Sequence, residues 1–186
     1  LTRAIQLASQ RGLDGLSIGD LASDLGLSKS GLFSHFGSKE DLQVEVLRAA
    51  SVRFDETVLK PALKAERGRP RLVAFFDCWL RWIADPSWPG GCLFMAAATE
   101  LDDREGKARD HLASGQRQLL ATIGKSARLA IEEGDFRPDL DCEAFAFELL
   151  SIALGYNHNK RLLRDRKAEA RARAAFERLL EYAAAE

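Results

Sequence analysis

The chain is poor in residues that staple a fold or hold a metal. Its three cysteines, Cys78, Cys92 and Cys142, lie far apart in 186 residues. An odd, scattered set makes no disulfide framework, and no CxxC or HxxxH spacing offers a metal site. Inert thiols, with no cofactor and no metal, are the expectation. Long apolar runs are also missing. Nothing approaches the roughly 20 residues of a membrane-spanning helix, and no leader-like stretch heads the sequence. A cytoplasmic protein without a membrane partner is therefore expected. The sequence opens at Leu1 already in helical rhythm, which leaves room for native residues ahead of it. An excess of either charge is absent as well. Lys+Arg 27 against Asp+Glu 28 excludes a generic polyanion binder, so any nucleic-acid role needs a local face. Finally, no stretch alternates with period two for the length of a strand.

What is present is helical rhythm from end to end. Leu1, Ala4, Ile5 and Ala8 mark one apolar face, stopped at Gly12. Three serines then open helices in quick succession. Ser17 precedes "IGDLASDL", with Asp20 placed for a capping box and Leu16 and Leu21 for a hydrophobic staple. Ser28 precedes "KSGLFSHF", where Leu27 and Leu32 repeat the staple spacing. Ser38 precedes "KEDLQVEVLRAA", with Glu40 and Asp41 complementing the positive helix end. Longer helices follow: from Lys39 to about Lys60, Arg71 to Ile83, Cys92 to Leu101, Lys107 to Glu133, Cys142 to Leu163 and Lys167 to Tyr182. The fold class is all-α, with about nine helices.

The stretch Ile18 to Phe36 has the order helix, turn, helix. Ile18, Leu21, Ala22 and Leu25 share a face that must pack, and Gly26 takes the turn, where positive φ costs it little. In the second helix Leu32 and Phe36 lie four apart and point inward. Opposite them, at 100° per residue, stand Ser30, Gly31 and Ser34, flanked by Phe33 and His35. Small hydrogen-bonding side chains between two rings suit a helix that enters the DNA major groove. Backbone N–H groups at the helix starts, together with Ser17 and Lys39, are placed to meet backbone phosphates, and Lys29 sits in the first turn of the second helix. The six acidic residues among positions 1–50 outnumber the five basic ones, but they fall mostly at helix starts, away from this face.

The segment "IGDLASDLGLSKSGLFSHFGSKEDL" resembles the DNA-binding domain of the TetR/AcrR family of bacterial transcriptional regulators. The resemblance implies DNA contacts by Ser17, Ser28, Lys29, Ser30, Gly31, Phe33, His35 and Lys39, to which the face argument adds Ser34. Phe33 replaces the family's usual tyrosine, so its phenolic hydroxyl is missing. The resemblance further implies a DNA-binding domain over residues 1–45 and an effector-binding and dimerisation domain over 46–186. It implies a homodimer through the last two helices, a palindromic double-stranded DNA operator, and release of a repressor by a small-molecule effector. An aromatic-rich set, Phe75, Trp79, Trp82, Trp88, Phe94, Met95, Thr99 and Tyr156, could line a pocket for an apolar or aromatic effector. Helical bundles bury such residues routinely, so a plain core role stands beside that reading.

Three alternatives compete. The helix-turn-helix could be a corner that only packs. The chain could be an enzyme, but Cys78 with His111 or His158 is the one nucleophile–base pair to offer, and no carboxylate dyad or phosphate loop accompanies it. It could also be a ligand-binding bundle without DNA function, which the intact "SKSGLFSHFGSK" argues against.

Overall fold

A computed structural model describes residues 1–185. Nine α-helices account for most of them: α1 (Thr2–Arg11), α2 (Ile18–Leu25), α3 (Lys29–Phe36), α4 (Lys39–Phe54), α5 (Arg69–Ala84), α6 (Leu93–Leu101), α7 (Lys107–Glu132), α8 (Cys142–Arg161) and α9 (Ala168–Ala183). Among the described residues there is no strand, only an isolated bridge between Phe136 and Ala184. The all-α expectation holds. The helix from Lys39 departs from expectation at its end. It does not stop before Pro61 but continues through a π-helical turn, Asp55–Leu59, and a short helical turn, Lys60–Ala62. Pro61 brings no N–H, and its ring crowds the carbonyl four residues back. The turn before it is widened, with the Lys60 N–H reaching the Asp55 carbonyl.

The chain divides into two compact units. The first combines Leu1–Arg53 with Asp85–Gly115. Its core gathers Ile5, Leu7, Leu13, Leu16, Leu21, Leu42, Val46 and Leu47, all buried. Gln43 is buried among them, and its amide donates to the Leu13 carbonyl at 3.0 Å, pinning the loop before α2 onto α4. The loop Asp85–Gly91 lies against α1. There the Gly90 N–H meets Ser9 Oγ at 3.2 Å, and a β-carbon on Gly90 would fall 1.3 Å from the Ser9 carbonyl oxygen. Arg53 holds the same loop by a 3.0 Å bond to Ser87 and by lying 4.2 Å over the Trp88 ring.

The second unit combines Phe54–Ala84 with the chain from Gln116 onward. Helices α8 and α9 pack along each other. Phe76 of α5 stacks on Phe176 of α9, with centroids 4.1 Å apart, and Phe136 meets Phe145 at 5.4 Å. The turn after α7 is tied down at both sides: Asp135 accepts from the Arg69 N–H at 2.7 Å, and the Arg137 N–H donates to the Ala183 carbonyl at 2.9 Å.

Candidate nucleic-acid interface

Helix α2 begins where Ser17 Oγ accepts from the Asp20 N–H at 3.0 Å, and the Ser17 hydroxyl donates to the Asp20 carboxylate at 2.6 Å. It ends at Gly26, which takes φ 65° and ψ 27°. The Gly26 N–H bonds the Ser23 carbonyl and the Leu27 N–H bonds the Ala22 carbonyl, closing the last turn in the Schellman pattern. A β-carbon at Gly26 would meet nothing within 4 Å, so glycine is required here by dihedral angle and not by space. Two residues later Ser28 caps α3 by accepting from the Gly31 N–H at 3.1 Å. The end of α2 is thus set by backbone bonds and the start of α3 by the Ser28 side chain.

Within α3 the single buried residue is Leu32. Phe36 is half-buried and meets the edge of the His35 ring at 4.7 Å. Lys29, Ser30, Gly31, Phe33, Ser34 and His35 are all exposed. The helix therefore packs through Leu32 and the half-buried Phe36 and presents the rest of its surface outward. Ser34 Oγ donates to the Gly31 carbonyl at 2.8 Å, which turns its lone pairs toward solvent. Two packing expectations need correction. Leu25, placed on the packing face, is 45% exposed because the chain turns away at Gly26 directly after it. Leu27, expected to staple onto Leu32, is 54% exposed.

The two positions expected at phosphates, Ser17 and Lys39, already have internal partners. Lys29 lies over the first turn of α2: a β-carbon on Gly19 would be 3.6 Å from Lys29 Cε and 3.7 Å from Ser17 Oγ. Ser17 and Lys29 are thus brought together. Lys39, in the first turn of α4, donates to the Asp14 carbonyl at 2.5 Å and stands 3.4 Å from the Asp14 carboxylate. Arg104 Nη1 binds that same carboxylate at 2.7 Å. These contacts, Arg104 foremost, hold the Asp14 carboxyl below the usual carboxylate range. Two acidic side chains thus sit beside residues expected at phosphates, one in the first turn of α2 and one in the loop before it, and neither on the Ser30–Ser34 face. Asp20 is bonded to Ser17, and Asp14 to Lys39.

Sequence reasoning missed a set of polar links from outside the helix-turn-helix. Glu100 accepts from the Asp14 N–H at 2.9 Å from 86 residues away. Glu40 caps α7 by accepting from the Lys107 N–H at 2.6 Å, and Lys107 Nζ reaches Asp41 at 3.1 Å. A cleft of about 240 Å³ opens there, lined by Asp14, Lys39, Glu40, Arg104, Glu105 and Arg109 among others. No local pattern announces such pairs, because each joins charged residues that look merely solvated in the sequence.

The residues suggested for an effector fall in both units. Phe75, Trp79, Trp82 and Tyr156 belong to the second and are buried. There Phe75 and Trp79 lie 5.3 Å apart, and Phe54 sets its edge against Trp82 at 5.4 Å. The buried Tyr156 hydroxyl has no hydrogen-bond partner. Phe94, Met95 and Thr99 lie on α6 in the first unit, with Thr99 exposed; Trp88 is buried in that unit. Among the described residues no group of His, Cys, Asp and Glu could hold a metal ion, and no helix is long and apolar enough to cross a membrane.

Comparison with known proteins follows the same lines. The family model "Bacterial regulatory proteins, tetR family" matches residues 1–46, and "Tetracyclin repressor-like, C-terminal domain" matches residues 68–176. The HTH-type transcriptional repressor NemR of Escherichia coli (strain K12) is 24% identical over 130 residues, covering 69% of this chain and 63% of NemR. The match thus spans less than two thirds of that relative. Among solved structures, a TetR transcriptional regulator from Chloroflexus aurantiacus J-10-FL superposes with TM-score 0.85 at 24% identity, covering 97% of this chain and 90% of that one. The reduced form of E. coli NemR gives TM-score 0.79 at 21% identity, covering 100% and 98%. With one model on the helix-turn-helix and the other on more than half of the chain, the protein belongs to the TetR family of bacterial transcriptional regulators.

Proposed function

We propose that the protein is a ligand-responsive repressor that binds a palindromic operator as a homodimer and is released by a small-molecule effector. The observation that carries the reading is α3. Leu32 and the half-buried Phe36 hold it, and Ser30, Gly31 and Ser34 lie exposed between Phe33 and His35. A helix whose interior contact is so small and whose outer side chains are short and polar has a surface suited to base edges. Ser17, Ser28, Lys29 and Lys39 at the helix starts would meet phosphates.

Residues 1–45 are then the DNA-binding domain, and 46–186 carry effector binding and dimerisation, in a cytoplasmic protein. The dimer reading is supported by α8, where Phe147, Ser151, Leu154 and Gly155 form an exposed stripe at helical spacing, with Phe147 67% and Leu154 44% exposed. Such a stripe on a helix is what a second copy would cover. The aromatic cluster of Phe54, Phe75, Trp79 and Trp82 supports an apolar or aromatic effector, and the unpartnered Tyr156 hydroxyl could orient it. To release the operator, the effector must favour the non-binding state by about 1–3 kcal/mol.

Selection from a random double-stranded DNA pool at near-physiological salt tests the reading. A palindrome is expected, with half-sites about one helical turn, ~34 Å, or slightly more apart. No enrichment by a folded dimer would make α3 a packing corner.

A further inference from the structure

We propose that Asp14 sets the DNA affinity of the helix-turn-helix by acting as an internal phosphate surrogate for Lys39, with Arg104 deciding how much of it Lys39 keeps. The inference rests on the reading that Lys39 meets a backbone phosphate. The Lys39 ammonium has two oxygen acceptors on Asp14, the carbonyl at 2.5 Å and Oδ1 at 3.4 Å. A phosphate would offer the same kind of acceptor to the same donor. An ammonium is a compact charge on a flexible stem, able to exchange one oxygen partner for another. Burial locks neither group: the Lys39 side chain is 48% exposed and that of Asp14 43%.

Arg104 stands on the other side of the same oxygen. Its 2.7 Å contact with Oδ1 is shorter than the one from Lys39. A carboxylate shared between two cations holds each less strongly than it would hold one. Glu100 fixes the backbone of the same residue through the Asp14 N–H. Asp14 is thus positioned from the α6 end of the unit, while its carbonyl and carboxylate occupy a lysine at the start of α4. An exposed ion pair adds little to folding stability. Its effect falls instead on the competition between Asp14 and DNA for one ammonium.

The test measures binding to duplex DNA of random sequence across a salt series, for the wild type, Asp14→Asn, Lys39→Ala and the double variant. Phosphate contacts are independent of sequence, so no operator is needed. Asp14→Asn is expected to bind about two- to fivefold tighter, the range of an exposed ion pair, with a salt slope steeper by up to about one unit. The gain should vanish in the Lys39→Ala background. An equal gain with and without Lys39 would overturn the proposal, because a plain loss of negative charge acts alike in both. Lys39→Ala costing the same affinity with Asp14 in place and in the Asp14→Asn background says the same. Lys39→Ala silent in both backgrounds would instead remove Lys39 from the phosphates, and the proposal with it. If Asp14→Asn fails to fold, Arg104→Gln decides. It should weaken binding about twofold only while Lys39 is present, and an equal loss in the Lys39→Ala background overturns the proposal.

Discussion

Ser34 commits its hydroxyl proton to the Gly31 carbonyl, 2.8 Å away, so it faces outward as an acceptor. In a major groove an acceptor matches an exocyclic amine, on adenine N6 or cytosine N4. Ser34→Ala is therefore expected to relax the preference at one base pair by about 1 kcal/mol, with the salt slope unchanged. If the selected site keeps the same preference, Ser34 does not face the bases. Lys39→Ala should do the reverse in the wild-type setting, lowering affinity for all sequences and flattening the slope by up to about one unit. The exposed side of α3 was legible in the sequence, because face and spacing follow from the helical period. The internal partners of Lys39 were not. Asp14, Glu100 and Arg104 are joined by chain reversals between distant segments, and no periodicity encodes a pair of that kind. Leu25 was misplaced for a related reason: its period put it on the packing face, but the turn at Gly26 ends the surface that would have covered it.

At the scale of elements, the serine caps set where helices begin. Ser38 Oγ accepts from the Asp41 N–H at 3.0 Å and donates to the Asp41 carboxylate at 2.6 Å, the arrangement already seen at Ser17 and Asp20. Both aspartates turn to the serine hydroxyl, a variant of the reciprocal box. Ser38→Ala should cost about 1 kcal/mol and lower the midpoint of thermal unfolding by about 2–4 °C, read by far-UV circular dichroism. A midpoint left in place would mean that the first turn of α4 is held by packing alone. Helix positions were legible to within a residue or two, since apolar rhythm, serine and glycine mark them clearly. The exception is the end of α4. Pro61 predicts a stop, whereas the buried Val58 and Ala62 on either side of it keep the helix packed, and a widened turn accommodates the ring.

At the scale of the whole molecule, α8 leaves Phe147 and Leu154 exposed while Phe145 and Leu149 are buried, and nothing in the sequence separated the two pairs. If a second copy covers the exposed pair, Phe147→Arg should weaken self-association at least about tenfold, or ~1.4 kcal/mol, seen as monomer in sedimentation velocity at micromolar protein. An unchanged sedimentation coefficient would move the interface elsewhere. The joining of Asp85–Gly115 to the first unit was not legible, because it depends on how closely two backbones approach. Gly90 is where they do. With no room for a single methyl group against Ser9, this position tolerates no other residue without a shift of the loop or of α1. In a library of random mutants screened for lost operator binding, Gly90 should therefore score beside Ser30 and Ser34, though it lies on another segment altogether. Protein abundance separates the two classes: variants of the serines accumulate normally, while those of Gly90 are depleted.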